Sequence, residues 1–208
     1  MSEPIPPTRW ELHLGGPDSG YAQTFERLIE RGEDIDGEAR LVDVLAPRGA
    51  RILDAGSGMG RVAAALQRRG HDVTAVEKDA GLIERSRLLF PDLPVVESDI
   101  LGLSPSLLEH QGRPAAYDIV VVVGNVMVYL ADGTEARALA TMRALLAPGG
   151  RMLVGFHPQH GPPHSRDYSA SLFHRHAEEA GLVTEQLFGT YDLRPPADDY
   201  VVAILSHR

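Results

Sequence analysis

Arg51-Ile52-Leu53-Asp54-Ala55-Gly56-Ser57-Gly58-Met59-Gly60-Arg61 is the stretch that decides the fold. A short apolar run ends in an acid, three glycines follow at alternate positions, and a helical pattern carried by Val62, Ala63 and Leu66 begins at once. That order describes a β-strand, a tight glycine loop and a helix N-terminus. The glycines let a ligand lie against bare main chain, and the helix start offers N–H donors to hold it. The next apolar run, Val73-Thr74-Ala75-Val76, closes on a second acid, Glu77. An acid there suits a ribose diol, so the two segments together point to a nucleoside-containing cofactor.

Outward from this unit, strand and helix alternate. Strands read at Arg51–Asp54, Asp72–Glu77, Val95–Ser98, Tyr117–Val123 and Met152–Phe156; helices read at about Arg61–Arg69, Ala80–Leu89 and Thr134–Leu146. The run Ile119-Val120-Val121-Val122-Val123 is apolar on both faces, as a central parallel strand covered by helices should be. Such alternation predicts a doubly wound α/β sheet. Further on, a helix near Tyr168–Ala180, stopped by Gly181, leads to strands at Val183–Phe188 and Tyr200–Ser206. The short connection between those strands, with Pro195 and Pro196, leaves no room for a helical crossover. They are expected to pair as an antiparallel hairpin.

The N-terminal part reads differently. Met1 to about Gly20 is rich in proline and glycine and is expected to be a loose arm, which Trp10, Leu12 and Leu14 could dock on the body. Asp18 or Ser19 could cap a helix carrying Tyr21, Phe25, Leu28 and Ile29. A second helix follows Asp36, with Leu41, Val42 and Leu45 facing inward. Residues 1–46 are expected to cover the pocket and residues 47–208 to form the cofactor-binding domain.

Composition narrows the function. The chain has 208 residues, 43% hydrophobic and 24% charged, which suits one soluble domain with a full core. A formal charge of −9 disfavours partners bound by neutralising phosphates, so nucleic acid is not expected. With no cysteine there is no disulfide, no thiolate metal site and no cysteine nucleophile. The opening residues lack a signal-peptide pattern and no apolar run is long enough to span a bilayer, so the expected location is cytoplasmic.

From Val44 to its end the sequence resembles the class I S-adenosylmethionine-dependent methyltransferases. The loop LDAGSGMG resembles the family's cofactor loop, VTAVEKD its second motif, ESDIL its third and YDIVVVVGNVMVYL its fourth; Leu146-Ala147-Pro148-Gly149-Gly150 resembles the turn before its fifth strand. The resemblance implies a Rossmann-like, mostly parallel seven-stranded sheet ending in an antiparallel hairpin. It also implies roles for particular residues. Gly56, Ser57 and Gly58 would lie along the methionine part of the cofactor, and Asp54 would hold its amino group through water. Glu77 would take the ribose hydroxyls, with Lys78 beside the adenine. Asp99 would accept from the adenine amino group, Ile100 would pack on the ring, and Gly124, Asn125 and Val126 would line the sulfonium end. Many relatives have a histidine or aromatic residue where Val128 stands, so the acceptor would draw its polar group from elsewhere.

Some residues keep two readings. Asp99 also suits the N-cap of a following short helix. Trp10 and Tyr21 could form a lid or simply pack the arm. His157, His160 and His164 crowd one loop after the fifth strand. They could bind a metal, include a general base, or lie in solvent; no metal site is expected, since no cysteine or carboxylate completes the set. His157 is the candidate catalytic residue. His176 shares a helical stripe with Leu172, Phe173 and Ala180 and reads as a satisfied, partly buried side chain, and Asp118 reads as a structural cap. A nicotinamide dehydrogenase is disfavoured because Arg61 occupies the place of the third glycine of the dinucleotide fingerprint. The expected function is methyl transfer from S-adenosylmethionine to oxygen, nitrogen or sulfur of a small molecule. The alternatives are a non-catalytic cofactor-binding subunit, or methylation of protein or RNA.

Overall fold

A computed structural model describes residues 4–13 and 31–208 of the chain. Its sheet has seven strands: β1 (Arg51–Ala55), β2 (Asp72–Glu77), β3 (Val95–Glu97), β4 (Tyr117–Val122), β5 (Leu146–Phe156), β6 (Leu182–Phe188) and β7 (Val201–His207). The spatial order is β3-β2-β1-β4-β5-β7-β6. The first five strands pair in parallel, whereas β7 is antiparallel to both β5 and β6. The order reverses between β1 and β4, and in such sheets ligands bind outside the carboxyl ends of the strands at that reversal.

The pleat explains the two-sided core. Leu53, Val120 and Val154 face a layer built on α7 (Glu135–Arg143) and α8 (Ala170–Glu179), through Leu139, Met142, Phe173 and Ala177. Their neighbours Ile52, Val121 and Leu153 face the other layer. There they meet Val42 on α2 (Gly37–Leu45) and Leu66 on α3 (Arg61–Arg68). Successive residues thus serve opposite faces, and burial of both is the main stabilising term. Asp79 starts α4 (Ala80–Leu89) by accepting from Gly81 and Leu82 N–H, and Ser169 starts α8 by accepting from Leu172 N–H.

Three differences from the sequence reading have local causes. The Leu146–Gly150 turn is absorbed into β5 as a wide bulge: β4 moves from Tyr117 to Ile119 while β5 moves from Leu146 to Arg151. Gly150 fits there because a Cβ would come within 2.9 Å of the Ala147 and Tyr117 carbonyls. Short helices at α5 (Pro105–His110) and α6 (Val126–Tyr129) lie in stretches too short for a periodic signal, whereas the 3₁₀ turn at Ile100–Gly102 is the short helix expected after the Asp99 cap. In the expected loose arm, Arg9–His13 form a helix, α1, whose Trp10 docks on the body while Leu12 is exposed. Leu14 and the expected helix with Tyr21, Phe25, Leu28 and Ile29 lie outside the described residues. Asp118 does anchor the far end of the sheet, holding the main chain and guanidinium of Arg51. No helix among the described residues is long and apolar enough to cross a membrane.

Candidate functional site

β1 and β2 end side by side, with Ala55 opposite Val76. The chain turns off β1 at Gly56, Gly58 and Gly60, whose φ angles of 78°, 57° and 83° are left-handed and strained for other residues. Space is short as well, since a Cβ on Gly56 would stand 2.6 Å from the Val126 side chain. Gly56 and Ser57 N–H both donate to Val76 O at 2.9 Å, and Gly58 N–H donates to Glu77 Oε2 at 2.8 Å. These three loop amides are therefore engaged within the protein. The loop presents instead the bare Cα surface of Gly56 and Gly58, a poor seat for a pyrophosphate.

That surface is one wall of a cleft of about 710 Å³, open mouth included. Glu77, at the tip of β2, is only 8% exposed and lines the cleft. Its Oε1 accepts from Lys78 N–H at 2.8 Å and Asp79 N–H at 3.0 Å. Burial pushes this carboxyl above the usual glutamate value, against the pull of the Asp79, Gly58 and Lys78 N–H groups. Asp99 has both of its expected roles open to it. Its Oδ1 caps the 3₁₀ turn by accepting from Leu101 N–H at 2.7 Å, and the residue lines the cleft beside Ile100. Lys78, also on the wall, places Nζ 2.6 Å from both Asp99 Oδ2 and Glu11 Oε2. Burial opposes the charged lysine, but those two partners hold its pKa above the ordinary value.

Gly124 and Val126 complete the wall at the end of β4, but Asn125 between them is turned away. Its Oδ1 accepts from His157 main-chain N–H at 2.9 Å and faces His157 Nδ1 at 3.0 Å. The structure thus brings most of the sequence-derived residues together and leaves Asp54, Ser57, Asn125 and His157 off the cleft wall. Ser57 Oγ is buried without a hydrogen-bond partner among the described residues. Tyr129 and Leu130, the end of the fourth motif, also line the wall, whereas Thr8, Trp10 and Leu82 are wall residues that the motifs did not supply, although Trp10 is the sole tryptophan of the chain. Its Nε1–H donates to Asp79 Oδ2 at 2.8 Å, and its ring meets Tyr129 edge-on at 5.6 Å. Arg9 grips Asp132 with two bonds of 2.8 and 2.9 Å, so α1 is fastened on both banks of the cleft.

The histidines separate. His176 is satisfied by the Tyr168 hydroxyl at 2.9 Å, and His164 stacks on His13 with centroids 5.0 Å apart. Among the described residues no three His, Cys, Asp or Glu converge in a metal-binding group.

Asp54 lies behind the glycine loop, 2% exposed, and accepts from Ala63 N–H at 3.1 Å. Burial pushes its carboxyl up to about 7, with Glu38 and Glu77 adding to the rise and Arg61 and the Ala63 N–H opposing it. The native chain holds this proton up to neutrality, whereas the unfolded chain loses it near 3.8. Between those values the native state binds more protons, so the stability associated with the protonated form is lost as pH rises through 7. Asp54→Asn, which still accepts from Ala63 but does not titrate, is expected to gain Tm relative to the parent between pH 5 and 8. Melting curves that stay parallel across that range would remove Asp54 from the pH response.

The family described as "Methyltransferase domain" matches residues 52–150. A TehB-like SAM-dependent methyltransferase from Corynebacterium glutamicum has a similar structure, with a TM-score of 0.80 and 36% identity. The match covers 91% of this chain and 97% of that one. An uncharacterized methyltransferase of Mycobacterium tuberculosis is 33% identical over 115 residues, 55% of this chain and 54% of the relative. The tRNA 5-carboxymethoxyuridine methyltransferase of Escherichia coli is 27% identical over 131 residues, 62% of this chain and 47% of its own length. The chain thus spans about half the length of the curated relatives it matches. A sheet with one antiparallel end, an acid at the tip of β2 and a glycine loop whose Gly56, Ser57 and Gly58 amides are engaged within the protein agree with these likenesses, and the chain belongs to the class I S-adenosylmethionine-dependent methyltransferases.

Proposed function

We propose that this chain methylates a small molecule at oxygen, nitrogen or sulfur. The observation that carries the reading is the cleft itself, where bare Gly56–Gly58 main chain and the Glu77 carboxylate face one space. The residues fit the family's cofactor in charge as well as shape. Glu77 and Asp99 line the cleft, Asp79 and Glu11 border it, and Lys78 is already paired with two carboxylates. A ligand carrying ammonium and sulfonium charge gains from such surroundings, and one carrying pyrophosphate loses.

When bound, S-adenosylmethionine supplies a methyl group on a positively charged sulfur. In this reading Glu77 binds the ribose hydroxyls, Asp99 and Ile100 hold the adenine, and Gly56, Gly124 and Val126 surround the sulfur end. Asp54 and Ser57 support the loop from behind rather than reaching the ligand. Lys78 acts as a clip, joining Asp99 to Glu11 of α1, and residues 1–46 serve as cover, with Trp10 and Tyr129 over the mouth and water kept out. The formal charge of −9 and the acids around the cleft favour a small acceptor over RNA.

Incubation with tritiated methyl donor and a cell extract divided into small-molecule, RNA and protein fractions tests this. Label is expected in the small-molecule fraction. Label in RNA, as the name of the Escherichia coli relative would suggest, or in protein would overturn the acceptor class.

A further inference from the structure

The contact between Asn125 and His157 defines a chemical state. Asn125 stands after β4 in the left-handed region, with φ of 75°. A main-chain N–H can only donate, so the Asn125 atom facing His157 N–H at 2.9 Å is the amide oxygen, whichever way the amide is drawn. The same oxygen faces His157 Nδ1 at 3.0 Å. An oxygen that only accepts requires a proton on Nδ1, and a neutral imidazole then has its lone pair on Nε2. Burial lowers the His157 pKa and so favours the neutral ring, with Asp199 opposing. Tyr200 packs on the ring edge-on at 4.7 Å, and its hydroxyl meets that of Tyr191 at 3.0 Å. His157 directly follows β5 at the carboxyl edge of the sheet, off the cleft wall itself but joined through Asn125 to the segment that carries Gly124 and Val126.

We propose that Asn125 is a positioning residue that fixes His157 as the Nδ1–H tautomer, so that Nε2 takes the proton of the methyl acceptor. The proposal rests on the methyl-transfer reading and narrows the acceptor to a hydroxyl, N–H or thiol. The acceptor heteroatom forms its bond to the methyl carbon while the carbon–sulfur bond breaks and sulfur keeps that electron pair. The proton displaced from the heteroatom passes to Nε2, and the imidazolium returns it to solvent. Acceptors without a proton to lose, such as tertiary amines and thioethers, have no use for this device.

Long-range ¹H–¹⁵N correlation spectra of the full chain test the tautomer directly, with the His157 signals assigned by their loss in His157→Gln. The parent is expected to show a protonated Nδ1 and a bare Nε2. Asn125→Gly keeps the left-handed backbone accessible and deletes the oxygen; it is expected to mix the tautomers. It should also slow label transfer into the small-molecule fraction about 10–100-fold, part of what general-base catalysis supplies. Asn125→Asp keeps both acceptor bonds and adds a charge, so it is expected to retain the tautomer, restore transfer and move the acidic limb of the pH profile upward. A bare Nδ1 in the parent, or unchanged tautomer and transfer in Asn125→Gly, would overturn the proposal. Calorimetric titration with S-adenosylhomocysteine separates the two readings, since binding with the wrong tautomer defeats only this proposal, whereas no binding defeats the methyl-transfer reading as well.

Discussion

Glu77→Ala is expected to weaken binding of S-adenosylmethionine and S-adenosylhomocysteine by about 1–3 kcal/mol, the usual loss for a hydrogen bond to a charged group. That is roughly 5- to 150-fold in Kd. The loss has two sources. The side chain offers the ribose a carboxylate at the tip of β2, and it gathers the N–H groups of Gly58, Lys78 and Asp79. Removing it leaves those buried donors without their acceptor, so the glycine loop and the start of α4 are expected to loosen together. Calorimetry gives the affinity and a melting curve of the free protein gives the structural share. Unchanged affinity would take Glu77 off the ribose.

Arg166→Ala is expected to be the more damaging change to the fold. The Glu135 side chain is 1% exposed and its carboxylate contacts the Arg166 guanidinium. Arg166 also donates its main-chain N–H to Val128 O at 3.1 Å and lies 5.1 Å from the Tyr168 ring centroid. It therefore ties the segment after β5 to the segment after β4, which carries Tyr129 and Leu130 of the cleft wall. Removing one partner of a buried pair leaves the other charge uncompensated, at a cost of about 3–5 kcal/mol. In a chain of 208 residues this lowers Tm by roughly 10 °C. Arg166→Met combined with Glu135→Leu, which removes both charges, is expected to recover most of the loss. A double variant no more stable than Arg166→Ala would show that the pairing is not the cause.

The sheet was legible because its signals are local. Alternation of apolar runs with helical stripes predicts β1 to β5, and the short Pro195-Pro196 connection predicts the antiparallel β6 and β7. Glu77 and Asp99 could be singled out for the same reason, Glu77 closing β2 and Asp99 standing two residues past the end of β3 in a parallel unit. What escaped the sequence depends on contacts between distant segments. The Gly56 and Ser57 amides look available until the β2 carbonyl at Val76 is placed beside them. Asn125 looks like a cleft residue until the ends of β4 and β5 adjoin and His157 claims its oxygen. Thr8 carries no motif and Trp10 could be read only as a candidate lid or packing residue; their place on the wall follows from Arg9 and Glu11 finding Asp132 and Lys78 across the cleft. Tyr21, the other candidate for a lid, lies outside the described residues.

In this account Gly56–Gly58 and Glu77 grip one nucleoside that carries a sulfonium or, after transfer, a thioether. Calorimetric titration of the purified chain with S-adenosylmethionine, S-adenosylhomocysteine and NAD, with Trp10 emission followed in parallel, tests it most directly. Saturable heat and a change in emission are expected for the first two ligands and neither for NAD. Binding of NAD, or silence towards all three, would contradict the claim.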